Sequence, residues 1–129
     1  MKIHLIIDKS DSMKTLGKVS IVKNLIRTIK ILKETRSVYE TYKFSKIDWN
    51  GKLEDLEKIV LSESIDNALI FTDGYICKPK KLREFIDNNR KKKYIIVYCG
   101  CDARYSNKFG YQSQDILLAL NTVTDIYEI

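Results

Sequence analysis

The chain carries one histidine, one proline, five glycines and three cysteines in 129 residues, and each scarcity excludes something. His4 falls inside the apolar run that opens the chain, so no serine–histidine nucleophile is available. Gly17 stands without the G-x-x-x-x-G-K pattern of a phosphate-binding loop. An odd cysteine count argues against a secreted disulfide framework. Cys99-Gly100-Cys101 spaces its thiols by one residue rather than two, so these two and Cys77 are expected as reduced thiols. No apolar run approaches the roughly 20 residues of a membrane-spanning helix. Met1 to Leu5 enters a strand directly, without the three-part order of a secretory signal. The expectation is a cytoplasmic protein with no membrane contact. Repeats, linkers and low-complexity stretches are absent too, and residues 1–129 read as a single compact domain.

What the chain does have is positive charge, +6 net. Lys18, Lys23, Arg27, Lys30 and Lys33 lie along one helical segment, and Arg90-Lys91-Lys92-Lys93 form a run. Such a balance can mark a nucleic-acid or acidic-protein partner. Aromatic residues are not interleaved with the basic ones as on a single-strand binding platform, which favours a solvated basic face.

Buried strands and amphipathic helices alternate. Lys2 to Asp8 is apolar without alternation, as in a strand covered on both faces. Val19, Val22, Leu25, Ile26, Ile29 and Leu32 recur at three- and four-residue steps and predict a helix over Lys18 to Lys33. A second strand is expected from Ser37 to Ser45, a loop from Ile47 to Gly51, and a short helix from Leu53 to Leu61. Asn67 to Thr72 reads as a buried strand, Pro79 as the first turn of a helix ending near Asn89, and Tyr94 to Cys99 as another strand. A loop from Gly100 to Gln112, a helix from Ser113 to Asn121 and a strand near Val123 to Ile129 complete the expected order. This order predicts an α/β fold: a doubly wound, mainly parallel sheet with helices on both faces. Ligands of such sheets bind beyond the carboxyl ends of the strands, where the winding reverses. Asp8 and Asp73 fall at two such ends.

Asp8-Lys9-Ser10-Asp11-Ser12-Met13 places three side-chain oxygens at alternate positions after the first strand, and Thr72-Asp73-Gly74 ends the third. An oxygen-lined point suits a hard divalent cation. This D-x-S-x-S and T-D-G pairing resembles the metal-ion-dependent adhesion site of von Willebrand factor A domains, with the element order of a three-layer, Rossmann-like sandwich. The resemblance implies Mg²⁺ or Mn²⁺ held by Asp8, Ser10, Ser12 and Asp73. Hydroxyl ligands leave such a cation electrophilic enough to take a carboxylate from a partner protein; at ~4 Å and an effective dielectric near 20 the attraction is about 8 kcal/mol before desolvation. Where the family has glycine and threonine before the middle helix, this chain has Asn50-Gly51-Lys52-Leu53. Leu53 cannot ligate. Asn50 or Asp48 offers an oxygen in its place, water can fill the position, or the Lys52 ammonium can replace the metal by bonding the aspartates.

The resemblance therefore implies a non-enzymatic protein-interaction module, within a larger assembly such as one built on an AAA-type ATPase. Its partner is a protein presenting an acidic residue. The rim expected around the site is Met13, Lys14, Tyr75, Arg104 and Tyr105. A magnesium-dependent phosphoryl-transfer or nuclease domain on a similar sheet is the alternative, with Asp8, Asp11, Asp73 and Asp102 as its carboxylates. Against it, the first strand carries Ser10 where an aspartyl phosphatase has its second aspartate.

Overall fold

The computed structural model describes residues 2–36, 43–74, 79–89, 92–103 and 110–113. Its elements are β1 (Lys2–Asp8), a 3₁₀ turn (Asp11–Lys14), α1 (Lys18–Arg36), β2 (Lys43–Trp49), α2 (Leu53–Ser62), β3 (Asn67–Thr72), α3 (Pro79–Asn88), β4 (Lys93–Tyr98) and β5 (Gly110–Gln112). The strands form one sheet in the order β2-β1-β3-β4-β5, and every neighbouring pair is parallel. The winding direction reverses between β1 and β3, so the fold is doubly wound with its switch point where Asp8 and Asp73 end their strands.

Two apolar layers explain why β1 and β3 lack a polar face. Ile3, Leu5 and Ile7 of β1 pack with Leu69 and Phe71 of β3 against Val22, Ile26 and Ile29 of α1. On the opposite face Ile6, Ala68 and Ile70 meet Leu53, Leu56 and Val60 of α2 and Phe85 of α3. Alternate residues of a strand point to opposite faces, so a strand covered on both sides must be apolar throughout. No described helix is long and apolar enough to cross a membrane.

The sheet departs from the sequence expectation at both edges. β2 extends through Trp49, where a loop from Ile47 was expected; residues 37–42 of the expected strand lie outside the described residues. The pairing runs the full length of β1, from Lys2 opposite Lys43 to Asp8 opposite Trp49. Lys46 and Asp48 hide this strand from a hydrophobicity reading, because they sit on its exposed side while Ile47 and Trp49 point into the α2 layer. β5 lies within the expected loop. Three residues carry no periodicity, and what makes the strand is Gly110 opposite Ile96. A Cβ on Gly110 would stand 2.1 Å from the Ile96 carbonyl oxygen, so only glycine allows that approach. The helix and strand expected after Ser113 lie outside the described residues.

Val19 also leaves its expected place on the apolar stripe of α1 and is 45 % exposed. Lys18 opens the buried stripe instead, followed by Val22, Ile26 and Ile29. Val19 stands one position, about 100°, further round the helix.

Candidate functional site

β1 delivers Asp8 to the carboxyl end of the sheet, where its side chain is 1 % exposed. Its Oδ1 accepts the backbone N–H of Ser10 at 2.8 Å, and its Oδ2 accepts the Thr72 hydroxyl at 2.7 Å. Thr72 is fully buried on β3, and its oxygen accepts the Gly74 N–H at 3.2 Å. A carboxylate taken out of water is tolerated because donors from the loop after β1 and from the end of β3 meet it. The Ser10 and Ser12 hydroxyls lie 3.4 Å apart beside it. Gly51, at φ +85°, presses the loop after β2 onto this cluster: a Cβ there would lie 3.1 Å from Asp8 Oδ1 and 3.1 Å from Ser10 Cβ. Asp8 and Ser10 thus lie in direct contact, and Ser12 adjoins them through the Ser10 hydroxyl.

Asp73 reaches the same end of the sheet, fully buried, but it meets a cation supplied by the chain itself. The Lys18 ammonium lies 2.9 Å from Asp73 Oδ2 and 2.8 Å from Asp102 Oδ1, and it donates to the Ser12 carbonyl at 3.1 Å. The Lys18 side chain has no exposed surface. Burial alone would lower its pKa, but the hydrogen bonds and charges of Asp102 and Asp73 outweigh burial and raise it above the ordinary lysine value. Lys18 thereby ties the loops that follow β1, β3 and β4.

The lysine at this end is therefore Lys18, not Lys52, which is exposed and gives its N–H to Asn50 Oδ1 at 2.9 Å. Asn50 donates its amide to Asp55, and Asp48 is exposed with Lys9 at 4.0 Å. Neither is turned toward Asp8. Leu53 is buried in the α2 core layer. Met13, expected on the rim, is 3 % exposed and packs into the α1 layer, because the 3₁₀ turn folds it under the loop. Lys14 is exposed and bonds Asp11 at 3.1 Å. Tyr75, Arg104 and Tyr105 lie outside the described residues.

Lys18 and Thr72 are the site residues that motif reading missed. Thr72 belonged to the T-D-G, but its role needed a partner 64 residues away. Lys18 did leave a trace: it opens a helix whose first turn has no acidic residue, where the positive end of the dipole disfavours a cation. Such local conflicts mark positions whose reason lies in tertiary structure.

Among the described residues no three His, Cys, Asp or Glu side chains gather to hold a metal. A cation at this end would rest on one carboxylate and two serine hydroxyls, a hard oxygen set suited to Mg²⁺ or Mn²⁺ and poor for softer ions. His4 sits in mid-strand, and burial, aided by Lys2, lowers its pKa and favours neutral imidazole. Burial pushes the Cys99 thiol up to about 12, leaving it protonated and unreactive at neutral pH. Comparison of the chain with protein-family models, curated proteins and solved structures gives no match.

The Thr72–Asp8 bond has a measurable consequence. Thr72→Val keeps the shape but withdraws the hydroxyl from a buried carboxylate, and should cost about 1–3 kcal/mol. Urea denaturation should show a lower midpoint at unchanged slope; an unchanged midpoint would mean that the bond contributes nothing.

Proposed function

We propose that the chain is a non-enzymatic protein-interaction domain of the von Willebrand factor A type, in which Asp8, Ser10 and Ser12 hold Mg²⁺ or Mn²⁺. The metal would supply an electrophilic point for a carboxylate of a partner protein. The observation that supports this most is the cluster of one buried carboxylate and two adjacent hydroxyls at the switch point of the sheet. Lys18 is consistent with it. By neutralising Asp73, the ammonium leaves the hydroxyl-rich set with less negative charge than a carboxylate cage, which is what a partner carboxylate needs. Asp73 then acts on the site through charge and loop position. In this reading the domain works in the cytoplasm as part of a larger assembly, an ATPase complex of the AAA type being the kind the resemblance implies.

The hydrolytic alternative draws less support. Metal-assisted phosphoryl transfer needs several carboxylates gathered about the ions. Here Asp73 and Asp102 are turned to Lys18, and exposed Asp11 is bonded to Lys14.

Titration calorimetry with Mn²⁺ tests the proposal. The wild type should show saturable binding of modest affinity, absent in Asp8→Ala and weakened in Ser12→Ala. Equal binding in wild type and Asp8→Ala, with both shown folded by circular dichroism, would place the ion elsewhere and sink the reading.

A further inference from the structure

Beside Asp8, α1 and the edge strand β2 leave a groove of about 210 Å³. Phe44 of β2 packs into the α1 layer, so by alternation Lys46 and Asp48 face the same side. α1 covers β1 and β3 there and does not close over this end of β2. The floor is apolar, made by Ile7, Met13, Val22 and Ile26, with half-exposed Val19 at its lip. The rim carries Lys9, Lys14, Lys23 and Lys46 against a single aspartate, Asp48. Lys9 and Lys14 have carboxylates within reach, whereas Lys23 and Lys46 make no ion pair among the described residues. An apolar floor under a basic rim is complementary to one kind of chain.

We infer that this groove docks an acidic peptide segment of a partner protein, with an apolar side chain in the floor and flanking carboxylates on Lys23 and Lys46. The inference deepens the reading as an interaction module by naming the class of partner, and it does not need the metal. Asp8 also lines the groove, so a segment docked there would pass close to the proposed metal site. The charges on the rim would steer encounter and suppress basic partners, while the floor supplies the apolar anchor.

Fluorescence anisotropy with a short labelled peptide of alternating glutamate and leucine, at low salt, tests this. Binding is expected to weaken by about ten-fold or more in the Lys23→Glu/Lys46→Glu variant, whose changes are on exposed positions. It should weaken with added salt, fall for a glutamate–serine peptide, vanish for a lysine–leucine peptide, and persist in EDTA. Amide shifts in a nitrogen-15 spectrum should map to Val19, Lys23 and Lys46. Equal affinity of the double variant, or shifts confined elsewhere, would overturn the groove. Tighter binding of a single-stranded oligonucleotide would overturn it in favour of a nucleic-acid surface, and a dimer that the double variant dissociates would make a second copy the occupant. Loss of peptide binding in EDTA without any effect of the double variant would reject the groove and leave the metal reading standing. Peptide binding without Mn²⁺ binding would do the reverse.

Discussion

Lys18→Met is expected to destabilise the fold by about 3–5 kcal/mol, because it leaves the buried Asp73 carboxylate without its cation while keeping most of the side-chain volume. The loss should be larger than for either carboxylate partner alone, since the ammonium also holds the Ser12 carbonyl and Asp102. Pairing the change with Asp73→Asn should recover part of it, as expected of two groups in direct contact. The same network has a pH signature. The folded protein holds the Lys18 proton more tightly than the unfolded chain does. Its contribution is therefore complete below the ordinary lysine value of 10.5 and is lost as pH rises through the raised one. Urea midpoints measured from neutral to strongly alkaline pH should fall more steeply for wild type than for Lys18→Met. Parallel curves, or a loss under about 1 kcal/mol on substitution, would mean the ion network is compensated elsewhere.

Trp49→Ala should cost a similar amount, about 3–5 kcal/mol, by emptying a site where the largest side chain of the chain is 2 % exposed. The residue also organises the loop beside Asp8. Its indole N–H donates to the Lys52 carbonyl at 2.7 Å, and its own carbonyl accepts the Lys9 N–H at 2.6 Å. Trp49→Phe retains much of the packing and loses the indole bond, so its cost should be nearer 0.5–1.5 kcal/mol beyond the volume change. Since Trp49 is the only tryptophan, wild-type unfolding can be followed by its emission and the variants by far-ultraviolet circular dichroism. If Trp49→Ala unfolds at the wild-type urea midpoint, the packing of this sheet end is not what holds the loop after β2 in place.

These two residues also mark how far the chain could be read without its fold. Trp49 fell in an expected loop, because the charged Lys46 and Asp48 broke the apolar pattern of β2 where they stand exposed. Lys18 was grouped with the basic residues of an amphipathic helix, and only its place in the first turn set it apart. The buried runs of β1, β3 and β4 and the stripes of α1, α2 and α3 were legible for the opposite reason: their burial is a periodicity written in neighbouring residues. Those elements, taken with the rule of right-handed crossovers, determined the parallel α/β sheet and put Asp8, Ser10, Ser12 and Asp73 at its carboxyl end. Only the tertiary structure decided which of them share a partner. Asp8 meets Thr72 across 64 residues and Lys18 meets Asp73 across 55, while Asn50 turns to Asp55 and Asp48 to Lys9. A hydrogen bond is won by whichever donor the folded chain brings within about 3 Å, and that distance is set by strand register and helix rotation, which local sequence does not specify.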